Sequence, residues 1–175
     1  MCDHGPTHVD ALSHLDPRPE APSIEKMSLK LFYGDASCID VSHKEPRASI
    51  NAADIDGAIA RSGVDVRKGD ILLFYTGIRW VPRDKGVSQP VSWFRRIGQY
   101  VAGRKGIKTF GVDAPSPDNP ASRTYPCHTR CRKYGITHYE NLDQVAGKRF
   151  TVSGFPLHIR EGTGSPVRAV AVLED

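Results

Sequence analysis

The sequence is organised around HGPTHVDALSH at residues 4–14, where three of the seven histidines and one aspartate lie within eleven residues. Proline breaks helices and disfavours a helical residue before it, so Pro6 predicts that this stretch is a strand or a loop. In an extended strand His8 and Asp10 lie on the same face, because successive side chains alternate. A turn through Pro6 can then bring His4 beside them.

This set of residues indicates metal binding. Neutral imidazole and carboxylate groups are ligands that suit zinc, manganese or iron, and a carboxylate can bridge two ions. The same stretch is also compatible with a polar surface loop whose histidines are simply solvated. The motif by itself leaves both interpretations open, but four such residues in one short segment favour the metal site.

The composition indicates a globular protein. Hydrophobic residues make up 39% and charged residues 25% of the 175 residues, and this length suits a single domain covering residues 1–175. The formal net charge is +4. The basic residues are dispersed and form no stripe with aromatic partners, so nucleic-acid binding is not expected. A solvated surface, or mild attraction for an anionic small-molecule substrate, is the better interpretation.

The cysteines and the hydropathy pattern indicate a cytoplasmic protein. Four cysteines, at positions 2, 38, 127 and 131, form no C-x-x-C pair, which favours reduced thiols over a disulfide framework or a zinc ribbon. No run of about eighteen apolar residues is present, and no charged leader precedes an apolar segment. Neither membrane insertion nor secretion is expected.

Strands and helices are both predicted along the chain. Apolar, β-forming composition predicts strands within residues 31–41, 71–75, 107–112 and 136–139. The run at 71–75 is apolar throughout, which is typical of a strand buried on both faces. Helices are predicted at residues 51–63, from residue 92 onward and at residues 123–133, and a polar loop at residues 79–90. The first helix has Asn51 and Asp54 as a near capping box and ends at Gly63.

The second half of the chain holds further candidates. His128 precedes Glu140 by twelve residues, and a helix followed by a strand could bring the two side chains together. Glu140 could equally be structural, because Asn141 beside it can cap a helix. Three polar residues after the strand at 107–112 could orient ligands or form turns: Asp113, Ser116 and Asp118.

Residues 4–14 resemble the signature H-x-G-T-H-x-D-x-P-x-H of the cyclase family of metal-dependent hydrolases, which includes bacterial kynurenine formamidase and isatin hydrolase. Further segments resemble the family in the family's order, namely residues 70–77, 111–118 and 162–169. Ordered matches over nearly the whole chain are more specific than one motif. Pro6 and Leu12 depart from the signature, but every ligand position is kept.

The resemblance implies an α/β fold of the swivelling β/β/α type, with a mixed sheet and flanking helices, in a homodimer or higher oligomer. It implies a divalent metal centre of two zinc or manganese ions, held by His4, His8, Asp10, His128 and Glu140. Asp10 would bridge the ions, and His14 corresponds to the family's acid/base histidine. Family members have several dozen residues before the motif, so the chain is expected to be short at its N-terminus.

Three functions are compatible with this resemblance. The first is hydrolysis of the C–N bond of a small aromatic or cyclic amide, with arylformamidase, which converts N-formylkynurenine to kynurenine and formate, as the best-known form. The second is hydrolysis of a lactam or lactone such as isatin. The third belongs to another class: a truncated, inactive paralogue that keeps the fold as a binding or oligomerisation module and binds no stoichiometric metal.

Overall fold

The computed structural model describes residues 2–14, 16, 18–44, 48–77, 93–94, 97, 100, 103, 106–119, 121–142 and 146–173. The strands found there are β1 (His8–Asp10), β2 (Tyr33–Asp40), β3 (Ser49–Ile50), β4 (Ile71–Tyr75), β5 (Trp93–Phe94), β6 (Thr109–Val112), β7 (Thr137–Glu140), β8 (Arg149–Ser153), β9 (Gly164–Pro166) and β10 (Val170–Val172). The helices with described bounds are α1 (Ala52–Ser62) and α2 (Pro126–Tyr134), with short 3-10 helices at Ile24–Lys26 and Leu29–Leu31.

Eight of these strands form one mixed sheet in the order β10-β8-β2-β4-β6-β7-β1-β9. The central strands β2, β4, β6 and β7 run parallel, whereas β1, β8, β9 and β10 are antiparallel to their neighbours. Parallel neighbours require crossover connections, and α1 forms part of the crossover from β2 to β4. The mixed sheet with flanking helices, which the resemblance implies, is confirmed.

The strand β4 is buried on both faces, as the apolar run at 71–75 predicts. Leu72 and Phe74 lie in a core that the sheet forms with the buried faces of α1 and α2. Ile71 and Leu73 point to the opposite face, where they join a second core that includes Tyr139. This alternation is the ordinary geometry of a strand covered on both sides. The other predicted strands are also confirmed, with ends shifted by a few residues.

The helix α1 has the predicted caps. The Asn51 side chain accepts hydrogen bonds from the backbone N–H groups of Ala53 and Asp54, and the Asp54 carboxylate accepts from the Asn51 N–H, which completes a capping box. Gly63 closes the helix with φ of 64°, in the left-handed region that glycine adopts without steric cost. The prediction of this helix is confirmed.

The prediction of a helix starting at residue 92 is wrong at its beginning. Trp93–Phe94 forms the strand β5, which pairs with β3, and the Phe94 N–H donates to the carbonyl oxygen of Pro117 at 3.0 Å. Ile97 and Tyr100 are helical and buried, so the helix follows the strand. At the start of a helix the first N–H groups have no partner within the helix itself. As a strand, Trp93–Phe94 instead forms backbone hydrogen bonds with other parts of the chain.

The helix predicted at residues 123–133 begins at Pro126, a residue whose missing N–H is tolerated in the first helical turn. The loop predicted at residues 79–90 lies outside the described residues. Among the helices that the structure describes, none has the length and apolar character needed to cross a bilayer.

Replacing Asn51 with alanine is expected to lower the free energy of unfolding by about 1 kcal/mol, because two helical N–H groups lose their acceptor. Asn51→Asp retains a capping oxygen and is the matched control. Urea unfolding followed by circular dichroism measures both variants. Equal stability of Asn51→Ala and the unaltered protein would contradict the capping role.

Candidate metal centre

The site is built on two neighbouring antiparallel strands. β1 pairs with β7 so that His8 lies opposite Glu140 and Val9 opposite Tyr139. Because side chains alternate along a strand, His8 and Asp10 of β1 share one face with His138 and Glu140 of β7, while Val9 and Tyr139 enter the core behind them. All four residues on the site face are buried.

Asp10 lies at the centre of the cluster. Its Oδ1 atom is 2.9 Å from His4 Nδ1 and 3.5 Å from His8 Nε2. Its Oδ2 atom is 3.5 Å from Nε2 of His128, which α2 supplies, and 3.8 Å from Nε2 of His14. The two carboxylate oxygens therefore face different sets of imidazoles.

The ligand atoms form two groups that share Asp10. The inner group consists of four buried residues, Asp10, His128, His138 and Glu140. The outer group consists of His4, His8 and Asp10, of which His4 is half-buried. Within each group the ligand atoms lie within 4.8 Å of one another. Glu140 reaches toward both groups, since its Oε1 lies 3.8 Å from His128 Nε2 and its Oε2 lies 3.3 Å from His8 Nε2.

The polar atoms of this cluster fit a metal centre. Among the described residues, His8 Nε2 and both Asp10 oxygens are buried without a hydrogen-bond partner, although imidazole nitrogens lie close to the carboxylate. Buried polar atoms are ordinarily paired, so unpaired atoms that converge on one point need another partner. A divalent cation bound by nitrogen and oxygen ligands satisfies that requirement.

Hydrogen bonds orient three of the rings. His8 Nδ1 lies 2.9 Å from the carbonyl oxygen of Pro6, and His4 Nε2 lies 2.9 Å from Thr163 Oγ1. His128 Nδ1 lies 2.8 Å from the Asp118 carboxylate. Each ring thus directs its other nitrogen at the carboxylates of the cluster, the arrangement typical of metal-ligating histidines.

The buried carboxylates of the cluster stabilise positive charge on the imidazoles around them. Burial lowers the pKa of His8, but the neighbouring Asp10 and Glu140 carboxylates reverse this effect and raise it to about 10. Burial likewise lowers the pKa of His128, and the Asp10 and Asp118 carboxylates raise it to about 9. Burial would raise the pKa of Asp10, yet the surrounding imidazoles hold it well below its usual value. The carboxylates therefore remain ionised at neutral pH.

Asp118 serves both the helix and the site. Its carboxylate accepts hydrogen bonds from the backbone N–H groups of Cys127 and His128, at the start of α2, and contacts the His128 ring. Of the two roles that the sequence leaves open for this loop, Asp118 therefore fits the first, because it orients the candidate ligand His128. Asp113 instead accepts hydrogen bonds from Thr76 and from the N–H of Gly77, so it supports the turn after β4.

The structure brings together every site residue that the sequence and the resemblance single out: His4, His8, Asp10, His14, His128 and Glu140. His138 is not among the residues that the sequence and the resemblance single out, but its Nε2 lies 3.2 Å from both Asp10 Oδ2 and Glu140 Oε1. His138 lies on the strand predicted at residues 136–139, and Glu140 follows directly. If the strand extends by one residue, as it does in the structure, the two side chains lie on one face, and this spacing is the signal in the sequence that could have identified His138.

Solved structures share this architecture. Isatin hydrolase A from Labrenzia aggregata, bound to benzyl benzoate, superposes with a TM-score of 0.81 at 23% identity, covering 99% of this chain and 75% of that chain. Isatin hydrolase A from Ralstonia solanacearum gives a TM-score of 0.79 at 22% identity, covering 98% of this chain and 73% of that chain. At these identities the likeness establishes the fold.

Sequence relatives extend over nearly the whole chain. Kynurenine formamidase of Bacillus thuringiensis strain Al Hakam is 31% identical over 174 residues, which cover 97% of this chain and 76% of the relative. Kynurenine formamidase of Geobacillus thermodenitrificans is 28% identical over 171 residues, with the same coverage. The family model described as "Putative cyclase" matches residues 1–119. The chain therefore belongs to the cyclase family.

Proposed function

We propose that the protein is a metal-dependent hydrolase that cleaves the C–N bond of a small aromatic or cyclic amide. The observation that carries this proposal is the buried convergence of imidazoles on the Asp10 carboxylate, whose oxygens lack hydrogen-bond partners among the described residues. The kynurenine formamidase relatives support an arylformamidase activity, with N-formylkynurenine as substrate and kynurenine and formate as products.

The proposed metal ligands are those that the resemblance implies. His4, His8 and Asp10 would hold one zinc or manganese ion, while His128 and Glu140 would hold a second ion that shares Asp10. When bound, such ions lower the pKa of a water molecule, polarise the substrate carbonyl and neutralise the charge that develops on its oxygen.

His14 is the proposed acid/base residue. It lies beside the cluster, with its ring 4.1 Å from that of His4 and 5.7 Å from that of His128, and its side chain is about one third exposed. Burial lowers the pKa of His14 below its ordinary value of 6.5, so the ring is neutral near pH 7. A neutral imidazole can accept a proton from the attacking water and deliver it to the leaving amine nitrogen as the C–N bond breaks.

A second candidate is hydrolysis of a lactam or lactone. The likeness to isatin hydrolases favours it, because the same cluster could open a cyclic amide and leave both product groups on one molecule. The third possibility, an inactive binding or oligomerisation module, would retain the fold without stoichiometric metal.

Metal content and substrate trials separate these functions. We would purify the protein without chelator or affinity-tag metal, determine metal per chain by elemental analysis, and assay N-formylkynurenine and isatin. Two ions per chain with formamide cleavage would support arylformamidase activity. Two ions with isatin opening alone would favour the second candidate, and a protein that neither retains nor takes up metal would overturn the hydrolase proposal.

Single substitutions test the assigned roles. His14→Ala is expected to retain both ions and to lower kcat/KM by about 100-fold to 10,000-fold, the usual contribution of general acid–base catalysis. Asp10→Ala is expected to lose both metal and turnover. His158→Ala, at an exposed position, is the matched control and should behave like the unaltered protein. Retained turnover in His14→Ala would refute the acid/base role.

The Asp118 carboxylate, which contacts the His128 ring, provides a separate test. Asp118→Asn is expected to weaken zinc binding about 10-fold to 100-fold, the usual cost of losing a partner that orients a ligating histidine. Asp113→Asn removes a buried carboxylate from the same loop without touching a ring of the cluster, so its zinc affinity should not change. Competition with a chromogenic chelator measures both affinities. Equal zinc affinity in the two variants would show that Asp118 caps α2 without supporting metal binding.

We also propose that the whole chain acts as one hydrolase domain, as a homodimer or higher oligomer in the cytoplasm. The exposed edge strand β10 supports assembly, because Val170, Val172 and the following Leu173 present apolar side chains there. Sedimentation equilibrium should give a mass at least twice 19.3 kDa. Val172→Lys should shift the mass toward the monomer, and a monomeric unaltered protein would contradict the proposal.

A further inference from the structure

His138 occupies a position that the proposed ligand set does not use. It is 2% exposed, and its ring stacks on that of Phe110 with a centroid distance of 5.0 Å and an interplanar angle of 12°. This stacking and the pairing of β7 with β6 hold Nε2 at 3.2 Å from both Asp10 Oδ2 and Glu140 Oε1. The ring is therefore directed at the same two oxygens as His128.

The distances within the inner group match four-coordinate geometry. Ligand atoms 2.0–2.1 Å from a tetrahedral zinc ion lie about 3.3 Å from one another. His138 Nε2 is 3.2 Å from each carboxylate oxygen, and His128 Nε2 is 3.5 Å from Asp10 Oδ2 and 3.8 Å from Glu140 Oε1. These four nitrogen–oxygen distances are close to tetrahedral spacing, and all the ligand atoms of the inner group lie within 4.8 Å of one another.

The outer group is different in kind. Its mutually close ligand atoms come from three residues, His4, His8 and Asp10, and the His4 side chain is 23% exposed. Glu140 Oε2 approaches His8, but Glu140 belongs to the inner group by the mutual distances of its ligand atoms. His14 lies against His4 on this side. Structural zinc sites have four protein ligands, whereas catalytic sites have three and leave one position for water or substrate. The inner group, with four residues, resembles a structural site, and the outer group, with three, resembles a catalytic site.

We propose that His138 is a protein ligand of the inner ion, which it encloses together with Asp10 Oδ2, His128 and Glu140. The inner ion then has a complete set of protein ligands and binds first and more tightly. The outer ion keeps the open position, beside His14, at which substrate binds. This division of roles rests on the proposed metal-dependent function.

Alternatively, His138 could remain protonated and serve as a fixed positive charge. A protonated ring between Asp10 and Glu140 would replace the inner ion, and the protein would then hold one ion, at the outer group. That arrangement leaves unexplained why His128 Nε2 converges on the same two oxygens and is held there by Asp118. A shared ion explains the positions of both rings.

Zinc titration with a competing chelator tests the proposal. The unaltered protein should bind two ions in distinguishable steps, and His138→Leu should weaken the tighter step by at least about 100-fold, more than the loss of an orienting partner costs. His158→Gln, at an exposed position, is the matched control. An unchanged tight step in His138→Leu would overturn the role of His138 while leaving a hydrolase intact, and so would a single ion that this substitution leaves bound with the same affinity. Absence of any metal would overturn the proposed function as well.

A second measurement does not require His138 to be altered. His4→Asn disrupts the outer group at a half-buried residue, and X-ray absorption of this variant with one zinc equivalent counts the imidazoles around the remaining ion. Two imidazole nitrogens would support His138 and His128 as joint ligands. One imidazole nitrogen would overturn the proposal, even if His138→Leu fails to fold.

Discussion

The arrangement of the site depends on the burial of one carboxylate. Asp10 is 2% exposed, and a charge taken out of water is costly unless other groups compensate it. Imidazoles from the segment around β1, from α2 and from β7 surround it, so three separate parts of the chain must be in place at once. The Thr137 hydroxyl, which donates to the Asp10 carbonyl oxygen at 2.5 Å, fixes the backbone at the same point.

The strand β1 makes this burial possible because it lies between β7 and β9, antiparallel to both. Its short length suffices, since Val9 anchors it in the core while His8 and Asp10 face the site. A site built on paired strands has little freedom to rearrange. An ion that binds only the native state at this site would stabilise the protein further.

The error at Trp93–Phe94 shows how tertiary contacts override a local pattern. Apolar residues at helical spacing predicted a helix through this segment, and Ile97 and Tyr100 are indeed helical. Phe94, however, has a backbone partner at Pro117 and packs its ring 5.1 Å from that of Phe74. Neither contact is visible in the local sequence, because each joins residues about twenty positions apart along the chain.

The capped helix after Asn51 and the buried strand at Ile71–Tyr75 follow from the amino-acid sequence alone, because capping and alternation act over a few residues. His4, His8, Asp10 and His14 are likewise neighbours along the chain before it folds. The alignment of β7 with β1, in contrast, depends on long-range packing. That alignment places Glu140 opposite His8 and brings His138 to the Asp10 carboxylate. Strand pairing joins residues more than a hundred positions apart, and a shift of one residue would turn His138 and Glu140 to the opposite face.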